Sequence, residues 1–341
     1  MRIVQHPLDE GDLTLIHALQ IRPRGTWSEL ASVLGESGPT LAARWARLRA
    51  DGAAWITAYP LADTVVTAFV EVDIVPGLMH QVCAVLDVSP WAGTIEYAAR
   101  GRDLLVTIFA KDFAHLSEIL LDELGEIPGV AQFRTHIAAR IHVEGSRWQL
   151  GALGPRERAA LRVLPDARPP SSISLRKPTY APLLLELARD GRATAADIAS
   201  RIDRPASTVR RQLGTLLRSG GLVFRCEIAQ RLTRWPVTVT WWCRVPASAL
   251  DDVVERVRRE PRVRLCMTIT GTSNFLLTMW TASMTDLMAS QRWLEDCLGP
   301  SSSIADTAVT LRTRKRLGWM VHPDGRATGV VYPPTVALVG E

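Results

Sequence analysis

The sequence predicts an α+β protein of two tandem modules, each with three short helices followed by a βαββαβ unit. Three observations lead to this fold class. A shift of 168 residues superposes two segments of the 341-residue chain without a gap. After each helical segment the hydrophobic period falls from about 3.6 residues to two, as happens where helices give way to strands. A stretch rich in glycine, proline and serine separates the two copies.

The repeat is clearest in the helical segments. Apolar, basic and glycine residues of the first copy coincide with similar residues of the second, and chance agreement over so many positions is improbable. The matched positions include Leu15 with Leu183, Leu19 with Leu187, Arg24 with Arg192, Leu30 with Ile198, Leu48 with Leu216 and Gly52 with Gly220.

The composition is that of an ordinary globular protein, with 47% hydrophobic and 22% charged residues, which excludes extensive disorder. The net charge of +5 is only mildly basic, so a nucleic-acid surface has to be found locally. The five cysteines are odd in number and lack CxxC spacing, which argues against a disulfide framework and a zinc site. We see no signal-like N-terminus and no apolar run of about 18 residues, so we predict a cytoplasmic protein.

The start of each module follows the helix-turn-helix plan. In the first copy the second helix ends at Gly35, and the third starts at Ser37, a good N-cap, and stops near Gly52. In the second copy a turn at 203–205 separates the last two predicted helices. We therefore expect two three-helix, winged heads.

After each head, alternating apolar and polar residues predict strands, and longer amphipathic stretches predict helices. The order is that of the ferredoxin-like βαββαβ fold. The first unit is predicted over 66–72, 78–86, 94–98, 104–109, 113–124 and 130–143, and the second over 237–245, 250–259, 263–270, 274–281, 287–298 and 304–317. Trp241, Trp242 and Trp280 lie on strands of the second unit and could pack in its core or at an interface between sheets.

These patterns divide the chain into six segments. Two are heads, two are sheet domains, one is a linker that could contain a helix over 155–164, and one is a tail that we expect to be loosely held. The predicted boundaries are 1–60 for the first head, 61–145 for the first sheet domain, 146–175 for the linker, 176–228 for the second head, 229–320 for the second sheet domain and 321–341 for the tail.

A head followed by a ferredoxin-like domain resembles the Lrp/AsnC (feast/famine) family of bacterial transcription regulators, here in a tandem two-module form. The motifs that carry the resemblance include Leu30-Ala31, Ser37-Gly38-Pro39-Thr40, Ser207-Thr208-Val209-Arg210-Arg211 and the turn Gly271-Thr272-Ser273-Asn274. The second copy departs from the first because Lys177 and Tyr180 stand where the first has Asp9 and Asp12.

The resemblance implies a sequence-specific regulator of transcription that binds double-stranded DNA. The family's sheet domain, called RAM, oligomerises and senses a small molecule, usually an amino acid. Because a four-stranded sheet with helices on one face leaves its other face uncovered, we expect RAM sheets to pair within the chain or in a homo-oligomer.

Local charge indicates which head contacts DNA more strongly. Residues 1–60 carry six basic and six acidic residues, whereas 176–225 carry ten basic and four acidic residues. The N-terminal residues of a recognition helix face base edges in the major groove. The candidates for DNA contact are Ser207, Thr208, Arg210, Arg211, Gln212 and Arg218 in the second head, and Ser37, Thr40, Arg44, Arg47 and Arg49 in the first. The alternative is that these arginines form an ordinary solvated helix face.

By the resemblance, an effector would bind near the turn that joins the second and third strands of each RAM domain. The candidates are Gly271, Thr272 and Asn274 in the second copy and Gly101 and Asp103 in the first. Gly271 would allow a ligand to approach the backbone closely. The alternative is that these are ordinary hairpin-turn residues.

Catalysis finds little support in the sequence. The seven histidines show no metal-ligand spacing, and phosphate-loop and nucleophile-elbow motifs are missing. Siroheme decarboxylases of tetrapyrrole biosynthesis resemble the same two-module plan; their pattern would place Tyr97 and Arg100 in a site, but its histidines are absent here. We expect neither an enzyme nor a cofactor. Such an enzyme, or a RAM effector-binding protein with non-functional heads, remains the alternative.

Overall fold

The computed structural model describes residues 8–60, 65–99, 101–163 and 177–334, so Arg100 lies outside the described residues. The helices are α1 Glu10–Ile21, α2 Trp27–Leu34, α3 Gly38–Ala50, α4 Met79–Val88, α5 Phe113–Glu118 (continued by a π-helical turn, Ile119–Leu124), α6 Pro155–Val163, α7 Ala181–Arg189, α8 Ala195–Ile202, α9 Ala206–Arg218, α10 Leu250–Val257 and α11 Met284–Leu298. The strands are β1 Ala54–Pro60, β2 Val66–Ile74, β3 Ala92–Ala98, β4 Leu104–Ala110, β5 Val130–Val143, β6 Leu222–Ile228, β7 Val237–Arg244, β8 Val263–Ile269, β9 Phe275–Thr281, β10 Ser303–Arg316, β11 Trp319–Val321 and β12 Ala327–Val331.

The two heads have the same local design. Thr26 caps α2 in a capping box with Glu29, and Thr194 caps α8 in the same way with Asp197. Ser37 caps α3 as predicted. In each head the three helices pack around a buried apolar core. The predicted helix-turn-helix pair is confirmed.

A two-stranded antiparallel ribbon joins the heads. Strand β1 follows the first head, β6 follows the second, and the two strands pair along their whole length. Thr57 lies opposite Arg225 at the centre of the ribbon, and these positions are equivalent in the repeat. The heads are therefore related by a pseudo-two-fold axis that passes through the ribbon.

The two sheet domains join edge to edge into one closed barrel of eight strands. The first sheet has the order β3-β4-β2-β5 and the second β8-β9-β7-β10, which is the order of the ferredoxin-like fold in both. Strand β5 pairs with β8, and β10 pairs with both β7 and β3, so the sheet closes. Closure removes the open sheet edges that otherwise invite aggregation.

The barrel has an outer and an inner apolar layer. On the outside, α4 and α5 cover the first sheet and α10 and α11 cover the second. On the inside, residues of both sheets meet, among them Phe69, Leu105 and Trp242. The predicted pairing of sheets is confirmed within the single chain.

The three strand tryptophans have different surroundings. Trp241 lies in the outer layer beneath the helices. Trp242 lies inside the barrel. Trp280 packs edge-on against Trp148 of the segment after β5, with ring centroids 4.7 Å apart. Both of the expected environments, core and sheet interface, therefore occur.

The expectation of a loosely held tail is wrong for residues 321–334. Strands β11 and β12 extend the sheet beyond β10 and dock on the first head. The amide of Ala327 donates to the Gly52 carbonyl at 2.8 Å, and Arg326 donates to the Asp51 carbonyl at 3.0 Å. The high content of glycine and proline suggested a loosely held segment, but the buried Trp319 side chain anchors the β11–β12 hairpin. Residues 335–341 lie outside the described part of the chain.

The linker is also packed where it is described. Trp148, Leu150 and Leu161 are buried against the first head, and helix α6 forms within the predicted range. The rest of the linker, 164–176, lies outside the described residues.

Candidate DNA-binding heads and barrel cavity

The recognition helix of the second head, α9, presents a basic face to solvent. Val209, Leu213 and Leu216 fill the head's core, as the sequence predicts. Arg210 and Arg211 are exposed and make no ion pair with any other described residue. Both guanidinium groups are therefore available to an external anion.

The other candidates of the second head surround this face. Ser207 and Arg218 are exposed, and Thr208 is half-buried. The Gln212 amide donates to the Thr179 hydroxyl at 3.0 Å, so it is held beside the start of the head.

The recognition helix of the first head, α3, has its arginines tied into the protein. Arg44 donates to Asp9 at 2.8 Å and to Asp12 at 2.9 Å, and these bonds raise its pKa. Arg47 also donates to Asp12, and Arg49 donates to Asp190 of the second head. The acidic pair of the first copy therefore neutralises its recognition helix.

The two hydroxyl candidates of the first head, Ser37 and Thr40, lie at the N-terminal cap of α3. Ser37 accepts from the Thr40 amide at 3.2 Å, and the two hydroxyls lie 2.7 Å apart. The two heads thus differ in charge although they share a fold.

Two equivalent arginines connect the heads reciprocally. Arg24 donates to the carbonyls of Gly191 and Ala193, and Arg192 donates to the two equivalent carbonyls of the first head, at 2.7 and 2.8 Å. Burial lowers the pKa of Arg192 to about 10 and also lowers that of Arg24. This contact was missed in the sequence, where the only signal was that Arg24 falls on Arg192 in the repeat.

The turn residues proposed for the effector hold strand ends together. Asp103 accepts from the Ile74 amide at 2.7 Å. Asn274, at the equivalent position, accepts from the Val245 amide at 2.9 Å and donates to the Val245 carbonyl at 2.7 Å. Both side chains are already bonded to the backbone.

The neighbouring turn residues complete these hairpins. Gly101 and Gly271 have φ values of 66° and 120°, which favour glycine. Two carbonyls of these turns lie near arginines: Gly101 accepts from Arg134 at 2.9 Å, and Thr272 accepts from Arg244 at 3.1 Å. An effector at these turns stays a prediction.

A cavity of about 160 Å³ lies at the end of the barrel next to the β1–β6 ribbon. Apolar side chains form most of its wall, and polar groups enter from the ribbon and from the ends of the strands. The apolar lining is Val65, Phe69, Phe109, Ile141, Leu265, Met267, Trp280, Leu317 and Pro334, and the charged or phenolic lining is Tyr59, Glu96, Glu144, Arg225, Arg264 and Arg316.

Three guanidinium groups at this cavity share one fully buried carboxylate. Glu227 bonds Arg225, lies 3.1 and 3.2 Å from Arg264, and lies 3.8 Å from Arg316. Despite its burial, the arginines lower the pKa of Glu227, so it is ionised. The Arg264 guanidinium lies over the rings of Trp148 and Trp280, 4.7 and 4.0 Å from their centroids, and burial lowers its pKa to about 9.

Three polar groups of the wall, on Glu96, Thr67 and Arg225, have weak hydrogen-bond partners or none among the described residues. Burial raises the pKa of Glu96, whose nearest partners are Thr313 at 3.2 Å and Arg316 at 3.8 Å. The hydroxyl of Thr67 and the Nε of Arg225 are buried without a hydrogen-bond partner among the described residues. The sequence did not predict this cluster, because its members come from four distant segments.

The part of the chain that the structure describes contains neither a candidate metal site nor a candidate membrane-spanning helix. No group of three or more histidine, cysteine or acidic residues there is arranged to hold a metal ion. None of the helices described is both long and apolar enough to cross a membrane.

Comparison with known proteins identifies three domains. The AsnC-type helix-turn-helix domain matches residues 8–49, the Lrp/AsnC ligand binding domain matches 67–148, and a further helix-turn-helix domain matches 177–223. A curated relative, an uncharacterized HTH-type transcriptional regulator of Pyrococcus furiosus, is 28% identical over 139 residues, which are 39% of this chain and 93% of the relative.

Solved structures extend the likeness to the whole chain. The siroheme decarboxylase NirDL in complex with an iron-uroporphyrin III analogue covers 96% of both chains with a TM-score of 0.55. A second structure of NirDL covers 89% of this chain and 92% of its own, with a TM-score of 0.54. Both are 12% identical to this chain, so the likeness is one of fold.

Proposed function

We propose that the chain is a DNA-binding transcription regulator whose RAM barrel senses a small molecule. Its first half contains an AsnC-type helix-turn-helix and a Lrp/AsnC ligand-binding domain. Its second half contains a further helix-turn-helix and a second sheet domain with the same strand order.

The exposed basic face of α9 is the observation that carries the proposal. Recognition helices of this motif enter the major groove with their N-terminal residues on base edges. Arg210 and Arg211 lie in that part of α9 and have no ion-pair partner among the described residues. Arginine suits both phosphate and guanine because its planar fork donates two parallel hydrogen bonds.

The first head contributes less to DNA affinity in this proposal. Its recognition-helix arginines are already paired with Asp9, Asp12 and Asp190, so each would have to exchange a protein partner for a phosphate. The reciprocal Arg24 and Arg192 contacts fix the distance between the heads. In this proposal the first head positions the second head for DNA binding and adds little positive charge of its own.

The small molecule and the assembly are the finer parts of the proposal. Amino acids are the usual effectors of the family that the chain resembles, and an effector bound within the barrel could act on the heads through the β1–β6 ribbon. Because the two RAM sheets already pair within one chain, any homo-oligomer would use other surfaces of the barrel.

The proposal treats the chain as a regulator without catalytic activity. The full-length fold shared with NirDL keeps a siroheme decarboxylase as the second candidate. Against it, Tyr97 accepts from Arg314 at 3.1 Å and contacts Cys83, so its hydroxyl is already engaged. Anaerobic incubation with siroheme followed by mass spectrometry distinguishes the two, since loss of carbon dioxide from the tetrapyrrole would favour the enzyme.

The decisive experiment is a titration of upstream DNA against competitor DNA at several salt concentrations. We expect R210A/R211A to reduce specific affinity by about 30- to 20,000-fold, because two good arginine contacts together contribute roughly 2–6 kcal/mol. The salt slope should fall by about 1–2, one unit for each phosphate that the variant no longer neutralises. The control is R259A/R292A, which removes two exposed arginines, without ion-pair partners among the described residues, from the barrel side of the molecule. Equal affinity for the two double variants would refute the assignment.

A further inference from the structure

We propose that the cavity between the barrel and the ribbon binds a small carboxylate with a hydrophobic body, whose carboxylate contacts Arg225 and Arg264. The proposal rests on the sensing role given to the barrel above, and it names the position and chemical class of the ligand. The position differs from the hairpin turns at Gly101 and Gly271, where the resemblance to the family places an effector.

The size and wall of the cavity define the body of the ligand. Its volume of about 160 Å³ lies well below the roughly 300–1,000 Å³ of pockets for drug-sized molecules. Phe69, Phe109, Leu265, Met267 and Trp280 present carbon surface to it. The space suits a single hydrophobic side chain with a short polar head.

The charges around the cavity define the head group. Three guanidinium groups face two carboxylates that have partners: Glu227, shared by all three arginines, and Glu144, which is bonded to Ser146. The third carboxyl group, Glu96, is buried 3.8 Å from Arg316, and burial raises its pKa. In this cluster of three arginines and three carboxyl groups, the buried Nε of Arg225 has no hydrogen-bond partner among the described residues.

A carboxylate is the anion that best uses this geometry. It accepts two parallel hydrogen bonds from one guanidinium and is attracted strongly in a low-dielectric site. The Nε of Arg225 and the hydroxyl of Thr67 are buried donors that lack partners among the described residues and line the same cavity. Cation–π contacts with Trp148 and Trp280 hold Arg264 in place, so its side chain loses little further freedom when a ligand binds.

The position of the arginines couples the ligand to the heads. Arg225 belongs to β6 and lies at the centre of the ribbon, whereas Arg264 and Arg316 belong to barrel strands β8 and β10. A carboxylate held between Arg225 and Arg264 would connect the ribbon to the barrel and compete with Glu227. If ligand binding changes the affinity for DNA by some factor, thermodynamic linkage requires that DNA binding change the affinity for the ligand by the same factor.

The carboxylate could belong to an amino acid or to an acid without an amine. Isothermal titration of the full chain, without DNA, would compare L-phenylalanine, L-leucine, phenylpyruvate, 4-methyl-2-oxopentanoate and the neutral phenylacetamide. We expect one site per chain and at least tenfold tighter binding of one acid class than of the amide. Binding of the amino acids alone would mean that Glu96 or Glu144 receives the ammonium group. Binding of the oxo acids alone would mean that no ammonium site exists. Both results support the site.

Two variants test the site, and the second keeps the proposal falsifiable if the arginine variant fails to fold. R225Q removes the charge and retains most of the stem, and T107M fills the cavity from its wall without altering charge. T285M, on the exposed face of α11, is the matched control. We expect R225Q and T107M to lose at least tenfold in ligand affinity, while T285M binds normally.

The outcomes separate this site from the proposed DNA function. R210A/R211A should lose DNA affinity and keep ligand binding, whereas T107M should keep DNA affinity and lose the ligand. If no acid binds at millimolar concentration, if the amide binds as well as the acids, or if T107M binds normally, the cavity is not the site. None of these results would change the DNA titration of the protein without ligand.

Discussion

Arg24 and Arg192 offer the sharpest test of the paired heads. Each guanidinium makes two hydrogen bonds to carbonyls of the opposite head, and each lies against an aromatic ring. Hydrogen bonds to charged groups contribute about 1.5–3 kcal/mol, so truncation to alanine should lower the free energy of unfolding by about 2–4 kcal/mol at either site.

The two variants should not be identical. Arg192 lies 4.1 Å from the Trp27 ring centroid, whereas Arg24 lies 5.5 Å from that of Phe224. A closer cation–π contact with tryptophan adds about 0.5–1 kcal/mol, so R192A should be the more destabilised. Lysine should not rescue either position, since a single ammonium group cannot reproduce the planar fork that reaches both carbonyls.

Urea unfolding followed by tryptophan fluorescence measures these differences, with R292A as the exposed-arginine control. The first head contains Trp27 and Trp45, so its separation from the barrel would also appear as a second transition. A loss below about 0.5 kcal/mol for both variants would refute the reasoning, because it would mean that the reciprocal contacts do not hold the heads together.

Three further predictions follow from other contacts. Burial lowers the pKa of Lys315 to about 8, so the unfolded chain binds more protons than the folded one between about pH 8 and 10.5; stability should rise with pH there, and K315M should flatten that rise in urea titrations. G52A should release the C-terminal hairpin to proteolysis, because φ is +63° and a Cβ would collide with the Ala327 carbonyl; G77A, with a positive φ but open space, should lose only about 1 kcal/mol. R44A should destabilise the first head by about 1–3 kcal/mol in thermal unfolding yet leave DNA affinity within about threefold, whereas a tenfold loss of affinity would show that Arg44 contacts DNA.

The sequence predicted the elements of the fold well because their signals are local. Alternation along β2 and the cap at Ser37 depend on neighbours within a few residues, and the structure has these elements nearly where they were expected. The repeat then identified two modules. Pairing of the sheets followed from the exposed face that a four-stranded sheet leaves uncovered.

Long-range contacts could not be predicted from the sequence. The acidic pair Asp9 and Asp12 was noticed as a difference between the copies, but its bonds to Arg44 and Arg47 depend on how α1 crosses α3. The docked tail was missed because its glycines and prolines resemble those of a free segment.

The cavity was missed for a similar reason. Arg225, Arg264 and Arg316 lie about 40 and 50 residues apart in sequence and meet only when the barrel closes against the ribbon. No local spacing rule detects three charges that are brought together by strand register.

The covalent union of the two modules has a consequence for how the protein can change. A homodimer of identical chains places the same residue on both sides of its axis, and it is suited to palindromic operators. Here the axis is only approximate, so Lys177 can replace the counterpart of Asp9, and Arg225 can face Thr57, without a matching change across the axis. Each half is also always present beside its partner, at a fixed one-to-one ratio and independent of dilution. Under the proposed function, such a protein can assign DNA contact mainly to one head and hold one ligand per pair of sheets.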